Sequence, residues 1–303
     1  MLNVAVIITV FNRKDKTLKC FASLKESLAT VTERTSVKVF LTDDGSTDGT
    51  AESIRQNAYP FEVCILQGTG ELYWNGGMIN SWKAALSEGG WDGYLWLNND
   101  TEILPGFWED LYAADIYCHQ AFGKGGIYVG STKDTVSGAL TYGGFVYTNK
   151  LTLKDRMIHP DGISFQRCEA AHGNITYVCS DVVASQGVLC EKYCHGVSDH
   201  DYTYLAYKAG FPVLVLPHYA GFCTNDHPKD GGQNAFLQLS LKERVAALHS
   251  PLGQNLHNAL LFNKRCFPLR YPLVLMTCYL RVLFPKTYHK LYLRLRGGKQ
   301  PSI

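Results

Sequence analysis

The 303-residue sequence lacks several features that would identify a membrane, secreted or repeat protein. No uninterrupted apolar run reaches the roughly 18–20 residues that a membrane-spanning helix requires. The ten cysteines contain no Cys-x-x-Cys pair and no regular spacing, so we expect free thiols, as in a cytosolic protein. The N-terminal Met1-Leu2-Asn3 has no positively charged segment before its apolar residues, so no signal peptide is expected.

Acidic residues are missing from the C-terminal part of the chain. All 27 Asp and Glu residues lie at or before Glu243, while ten of the 29 Lys and Arg residues follow it, so residues 1–243 carry a net charge of −8. Beyond Leu269, Lys and Arg are interleaved with Tyr, Leu and Phe. This composition predicts helices at an anionic membrane surface. A packing appendage or a dimer contact is the alternative, and nucleic acid is not an expected partner because the acidic body would repel it.

Apolar runs alternate with helical patterns through the first part of the chain. Strand-like runs of β-branched and other apolar residues occupy positions 4–10, 37–42, 63–67 and 94–97. The segments between these runs, such as residues 15–28, have apolar residues at helical spacing. Strands that alternate with helices indicate a parallel sheet. We therefore predict an α/β fold with a mostly parallel central sheet flanked by helices.

The later part of the chain is less regular. We predict a helix at residues 201–209, a strand at 213–216 that ends before Pro217, and helices from about Asn234 to the end. Residues 150–175 match neither pattern.

Three carboxylate-bearing loops follow predicted strands or begin a predicted helix. They are Asp43-Asp44, Asp100 and Asp199-His200-Asp201. Ligands of open α/β sheets bind just beyond the carboxyl ends of the strands, although each loop alone is equally well explained as a turn or a helix cap. Together they supply what sugar transfer from a nucleotide diphosphate needs: a polar site for the base, a metal-bearing carboxylate for the diphosphate, and a carboxylate that accepts a proton.

Four motifs, in their order and spacing, resemble glycosyltransferase family 2. They are ITVFNR at 8–13, TDDGSTDGT at 42–50, LNNDT at 97–101, and SDHDY at 198–202 followed by Ala209-Gly210. The resemblance covers roughly residues 3–225 and implies a GT-A fold and an inverting transfer. The segments GELYWNGGM at 70–78 and Tyr142-Gly143-Gly144 are similar to a bacterial branch that builds surface polysaccharides, including rhamnosyltransferase-like members.

The resemblance also implies roles for individual residues. Asp100 is the implied ligand of a divalent metal, Mn²⁺ or Mg²⁺, and Asn98 stands where the family has its leading Asp, which lowers the charge of the site. His218 is a further candidate ligand, because it should emerge at the same sheet edge and imidazole suits manganese; a structural role is its alternative. The expected donor-binding residues are Thr9, Phe11, Asn12, Asp43, Asp44, Trp74, Gly76, Asn98 and Asn99.

Trp74 and Asp199 also have a physical rationale. Trp74 lies between glycines and predicts an aromatic platform for a sugar ring, with packing under a loop as an equal alternative. Asp199 matches the general base of the family, and a helix N-terminus would stabilise its anionic form. Ser198 replaces a Glu of the family motif and Leu205 replaces an Arg. Asp201 remains the alternative base.

The predicted protein is a metal-dependent, inverting glycosyltransferase. It would transfer a sugar from a nucleotide-sugar donor to a lipid-linked glycan during bacterial surface polysaccharide synthesis at the inner face of the plasma membrane. Residues 1–233 would form the transferase domain, with a nucleotide-binding half at 1–122 and an acceptor half at 123–233, and residues 234–303 a basic helical region. The alternatives are a non-catalytic sugar- or membrane-binding protein and a sugar nucleotidyltransferase.

Overall fold

Strand β1 (Leu2–Val10) illustrates why the central sheet is buried on both faces. Val4, Val6 and Ile8 belong to one apolar cluster, and Ala5 and Ile7 belong to a second cluster on the opposite face. Successive side chains of a strand point to opposite faces. An unbroken apolar run therefore needs apolar cover on both sides, which helices provide here.

The computed structural model describes residues 1–31, 33–224 and 233–295. The chain divides into two compact units, Met1–Thr224 and Asn225–Ile303; we call residues 1–224 the sheet unit and residues 233–295 the helical unit. The other strands are β2 (Thr35–Asp43), β3 (Glu62–Gln67), β4 (Gly93–Leu97), β5 (Glu102–Ile103), β6 (Ile127–Lys133), β7 (Leu140–Tyr142), β8 (Gly144–Asn149), β9 (Lys154–Met157), β10 (Gln166–Arg167), β11 (Ala170–Ala171), β12 (Ile175–Cys179) and β13 (Val213–Phe222).

The helices of the sheet unit cover both faces of its sheet. On one face, Phe21 and Leu24 pack with Trp108, and on the other, Trp82 contacts Tyr202 at a ring separation of 5.5 Å. The helices are α1 (Lys14–Leu28), α2 (Thr50–Gln56), α3 (Tyr73–Glu88), α4 (Phe107–Phe122), α5 (Ser180–Gln186) and α6 (Ser198–Lys208).

The main sheet has the order β10-β13-β6-β12-β4-β1-β2-β3, with β5 on β13 and β7 on β6. Strands β4, β1, β2 and β3 run parallel, β12 runs antiparallel between β4 and β6, and β13 is parallel to β6. A smaller sheet has the order β11-β8-β9. Parallel strands end at the same edge, so the loops after β1, β2 and β4 meet there.

Two parts of the sheet unit differ from the sequence prediction. Strand β13 does not end before Pro217 but continues to Phe222, with its pairing to β6 interrupted between Val215 and Tyr219. Proline lacks the N–H that a continuous ladder would need, and such an interruption accommodates it. Residues 150–175 contain the short strands β9, β10 and β11, which are too short to give a sequence pattern.

The helical unit confirms the helical periodicity predicted after about Asn234, within the described residues. Its core contains Phe236, Leu248, Leu256 and Val282. None of the described helices combines the length and the apolar character that crossing a bilayer requires. The helices are α7 (Gln233–Gln238), α8 (Leu241–His249), α9 (Leu256–Cys266), a 3-10 turn (Pro268–Arg270), α10 (Tyr271–Leu283) and α11 (Pro285–Leu295).

Helix α8 begins with a capping box, in which Ser240 and Glu243 exchange hydrogen bonds. Glu243 is also the last acidic residue of the sequence, so the predicted basic region begins just inside α8. Arg296 and Lys299, two of its basic residues, lie outside the described residues. All ten cysteines are described, and none of them is in a disulfide bond.

Candidate active site

The loops that follow β1 and β2 are joined by hydrogen bonds of Asn12. This residue has a left-handed backbone (φ 50°), its side-chain Oδ1 accepts from the Thr47 N–H at 2.7 Å, and its own N–H donates to Ser46 Oγ at 3.0 Å. Asn is one of the few residues that adopt this conformation at low cost. Asn12 therefore holds the two loops together, and neighbouring Phe11 is left half exposed at the edge of the sheet.

Asp43 and Asp44 have different environments. Asp43 Oδ1 accepts a hydrogen bond from the Ser46 N–H at 2.8 Å, within its own turn. Both oxygens of buried Asp44 accept from backbone N–H groups of the next loop: Gly70 at 2.8 Å, Leu72 at 2.9 Å and Tyr73 at 3.0 Å. The side chain of Asp44 thus organises the loop before α3, and its role in donor binding stays a prediction.

Trp74 and Gly76, two of the predicted donor-binding residues, make contacts within the protein. The indole N–H of Trp74 is not free, since it donates to Asn98 Oδ1 at 2.8 Å. A Cβ on Gly76 would meet only the Leu72 side chain, at 3.1 Å, whereas a Cβ on Gly77 would lie 2.0 Å from Thr9 Oγ1. Gly77, rather than Gly76, is thus the glycine that allows close approach of α3 to β1.

The Asn98-Asn99-Asp100 turn at the end of β4 directs its three side chains to different partners. Asn98 contacts Trp74, and its own N–H donates to the Asn174 carbonyl at 3.0 Å. Asn99 is buried, and its amide donates to Thr17 Oγ1 of α1 at 3.3 Å. Asn99 thus anchors the turn to α1, and its contact with the donor stays a prediction.

Asp100 forms an ion pair with Arg13. Asp100 Oδ2 lies 2.5 Å from Arg13 Nη1, and the thiol of Cys223 lies 3.8 Å from Oδ1. Burial and the charge of Asp100 raise the pKa of Cys223 to about 11, so this residue is a neutral thiol here. Arg13 and Cys223 were both absent from the sequence prediction of the site.

His218 does not accompany Asp100. Its Nδ1 lies 3.0 Å from Asp110 Oδ2 of α4, and its side chain is largely exposed. It precedes Cys223, the neighbour of Asp100, by five residues, which corresponds to about 15 Å along an extended chain. Because β13 continues past Pro217, His218 lies within the strand and beside Asp110, and its role as a metal ligand stays a prediction.

The described residues contain no cluster of three or more His, Cys, Asp and Glu side chains suited to a metal. Around Asp100 the chain supplies one carboxylate, a neutral thiol and the competing guanidinium of Arg13. Magnesium-type sites often use one or two carboxylates together with substrate phosphates and water. These residues fit a metal that arrives with a diphosphate, once Arg13 has left Asp100, but not a metal held by the protein alone.

Asp199 lies in the first turn of α6 and is oriented by two backbone N–H groups. Gly173 donates to its Oδ2 and His200 to its Oδ1, both at 2.9 Å. A Cβ on Gly173 would lie 2.9 Å from Trp74 Cζ2 and 3.4 Å from Asp199 Cβ. Gly173 therefore lets Trp74 and Asp199 approach each other from different elements.

Asp201, the alternative base, is almost completely buried. The Tyr193 hydroxyl donates to its Oδ1 at 2.9 Å. Asp199, with a side chain 17% exposed, is the more accessible of the two carboxylates.

A histidine pair next to Asp199 was missed by the sequence analysis. The rings of His172 and His200 are 4.9 Å apart, and His172 Nδ1 lies 2.9 Å from the Gly143 carbonyl. Burial and the nearby His200 lower the pKa of His172 to about 4, although part of the residue reaches the surface. The available signal was the Tyr142-Gly143-Gly144 motif, which supplies this carbonyl.

The family follows from a comparison with family models. The model described as "Glycosyl transferase family 2" matches residues 5–160, just over half of the chain. The chain belongs to glycosyltransferase family 2. The matched segment includes the loops after β1, β2 and β4, so the predicted family is confirmed. A comparison with curated proteins gave no match.

Solved structures similar to this family member have the same fold. TarS 1–349 from S. aureus in complex with UDP has a TM-score of 0.54 and 14% identity, over 89% of this chain and 72% of TarS 1–349. The mannosyltransferase PcManGT from Pyrobaculum calidifontis, in complex with GDP-Man and Mn²⁺, has a TM-score of 0.51 and 14% identity, over 97% of this chain and 79% of PcManGT. The predicted GT-A fold is confirmed.

Proposed function

We propose that this protein is an inverting glycosyltransferase that moves a sugar from a nucleotide-sugar donor to a glycan acceptor. The observation that carries the proposal is the connection between the two sides of the site. Asn98, two residues before Asp100, bonds Trp74, and Trp74 lies against Gly173, whose N–H bonds Asp199. A carboxylate for the diphosphate side and a carboxylate for the acceptor side thus belong to one contact network.

The donor would bind at the ends of β1 and β2. Phe11 offers an exposed aromatic ring next to the loop that carries Asp43, and Thr9 lies in β1 opposite Thr42 of β2. Asn12 holds this loop in place through its hydrogen bonds with Ser46 and Thr47. These groups suit a nucleoside, which needs one apolar contact and a few hydrogen-bonding partners.

A divalent cation, Mn²⁺ or Mg²⁺, would be held by Asp100 and by oxygens of the donor diphosphate. When bound it would neutralise negative charge on the leaving nucleotide diphosphate. The carboxylate of Asp100 is the one ligand that we assign to it from this chain. Asn98 cannot serve as a second anionic ligand, and its Oδ1 already accepts from Trp74.

Asp199 would act as the general base in a single displacement. It would take the proton of the acceptor hydroxyl while the acceptor oxygen forms a bond to the anomeric carbon. The bond from that carbon to the diphosphate oxygen breaks, and its electron pair leaves with the nucleotide diphosphate. The two N–H donors hold the carboxylate in one orientation, and each of its oxygens keeps a lone pair for the proton.

The acceptor that we propose is a lipid-linked glycan in bacterial surface polysaccharide synthesis, at the inner face of the plasma membrane. The support comes from the helical unit, where Leu269, Leu273, Met276, Leu280 and Leu283 are exposed. Their spacing of three and four residues puts them on one helical face. The lack of carboxylates after Glu243 gives this part of the chain a positive charge, which suits anionic lipid headgroups.

The function can be tested with purified protein and a panel of UDP-, GDP- and dTDP-sugars in the presence of Mn²⁺. The true donor should raise the melting temperature, because a ligand that binds only the folded state stabilises it. It should also be hydrolysed or transferred. Stabilisation without any turnover would favour the second candidate, a non-catalytic sugar-binding protein, for which the replacement of acidic residues by Asn98 and Ser198 is the supporting observation.

The metal assignment is tested by D100A and by a chelator. Both should abolish transfer and the metal-dependent part of nucleotide binding, while far-UV circular dichroism stays unchanged. Full activity in excess EDTA would remove the metal from the mechanism.

A further inference from the structure

Arg13 occupies the position where β1 and β4 end side by side. It follows Asn12 and precedes α1 (Lys14–Leu28), and its guanidinium reaches across to Asp100, 87 residues further along the chain. The backbone before it is held by the hydrogen bonds of Asn12 to Ser46 and Thr47. The side chain itself is 49% exposed. The backbone next to Arg13 is thus held in place, while its guanidinium can change partner.

The charges at this edge make a change of partner favourable when a donor binds. In the pair, Arg13 and Asp100 neutralise each other at 2.5 Å. A bound nucleotide diphosphate adds roughly two negative charges next to Asp100. Positive charge from both a metal and the protein is needed to balance them. A divalent cation prefers the carboxylate oxygen, whereas a guanidinium fits phosphate as well as carboxylate, with two parallel hydrogen bonds.

We propose that Arg13 is a donor-binding residue that exchanges Asp100 for a phosphate oxygen when a nucleotide diphosphate and a divalent cation bind together. In the absence of donor, Arg13 competes with the cation for Asp100. In its presence, the cation takes Asp100 and Arg13 takes the diphosphate. The exchange makes the binding of the two ligands cooperative, and by linkage each should strengthen the other by the same factor. This inference rests on the proposed function.

The test compares the wild type with R13Q, which removes the charge but keeps a polar side chain of moderate length. Mn²⁺ binding is measured by electron paramagnetic resonance without nucleotide, and binding of UDP, GDP and dTDP is measured by calorimetry with and without Mn²⁺. Without nucleotide, R13Q should bind Mn²⁺ about two- to fivefold more tightly, because a partly exposed ion pair no longer competes. With Mn²⁺ present, it should bind the nucleotide about ten- to a hundredfold more weakly.

Two further variants make the result specific. R13K keeps the charge but not the two-pronged geometry, so its nucleotide affinity should lie between those of the wild type and R13Q, and it is the variant to use if R13Q does not fold. R55Q removes an arginine that pairs with Glu52 on the exposed face of α2 (Thr50–Gln56), and it should match the wild type in every measurement.

The outcomes separate this inference from the proposed function. If the wild type binds none of the three nucleotides, with or without Mn²⁺, the proposed function fails. If it binds one of them and R13Q and R13K bind that nucleotide and Mn²⁺ as the wild type does, the role of Arg13 is overturned. A lower melting temperature of R13Q with unchanged affinities would also overturn it, since the pair would then be only structural.

Discussion

In the sheet unit, apolar side chains of β1 and β4 are buried on both faces of the sheet, whereas in the helical unit Leu269, Met276 and Leu283 on or next to α10 are more than half exposed. Asp44 and Asn99 of the sheet unit are buried and bonded to neighbouring loops. The sheet unit uses its apolar residues for stability and its buried polar residues to position loops, while the helical unit leaves apolar side chains of α10 exposed.

The largest expected effect concerns the chemistry of the sheet unit. D199N keeps the shape and most of the hydrogen-bonding capacity of the side chain but cannot take a proton, so transfer should fall by about 10²–10⁴-fold while donor affinity is kept. Initial rates and donor titrations would measure both quantities.

D181N is the matched control for D199N. Asp181 also lies in the first turn of a helix and also accepts a backbone N–H, from Gly125 at 2.7 Å. It should retain activity. If D201N loses transfer more than D199N at equal melting temperature, Asp201 is the base.

The next effect concerns the buried polar anchors. D44A would leave the N–H groups of Gly70, Leu72 and Tyr73 without their carboxylate, which should cost about 2–4 kcal/mol of unfolding free energy. Urea unfolding would measure this loss. D161A is the control, because Asp161 accepts two backbone N–H groups in an exposed loop, where water can replace it. Equal losses in the two variants would contradict the distinction between buried and exposed anchors.

The apolar face of the helical unit is tested by the triple variant L273Q/M276Q/L280Q. Each partly exposed side chain should contribute about 0.5–1 kcal/mol of membrane binding, so the variant should bind phosphatidylglycerol-containing vesicles at least about tenfold more weakly at low salt. Co-sedimentation would measure this, and high salt should release the wild type.

The control for the triple variant is V136Q/I163Q, which replaces two exposed apolar residues of the sheet unit and should bind vesicles as the wild type does. Transfer to a lipid-linked acceptor should fall in the triple variant more than transfer to a soluble one. A wild type that ignores anionic vesicles would make the apolar face a packing or oligomer contact instead.

The smallest effect concerns pH and the sheet unit. The pKa of His172 is lowered to about 4, below its ordinary value of 6.5, so the folded protein takes up this proton less readily than the unfolded chain. The stabilising contribution is therefore present above pH 6.5 and is lost as the pH falls towards 4, by about 1–3 kcal/mol. H172N should flatten this part of the pH dependence of unfolding.

The periodicity of the sequence predicted the main strands and several helices well. The runs at 37–42 and 94–97 became β2 and β4 within two residues at each end, because a strand buried on both faces must be apolar along its whole length. Helix α4 was not predicted. Its aromatic residues, such as Trp108 and Tyr112, obscured the apolar stripe of the helix. The end of β13 was also predicted too early, because Pro217 suggested a strand end, whereas the interrupted pairing of β13 accommodates this proline.

Local order along the chain was therefore enough to determine the alternation of strands and helices, the family motifs and the loops that carry Asp43, Asp100 and Asp199. The tertiary structure alone decided which of their side chains are available. Asp44 is occupied by a loop 26 to 29 residues away, and Asp100 by Arg13, 87 residues away. Such partners depend on strand order and loop path, which bring distant residues together, and a pattern of neighbouring residues contains no information on either.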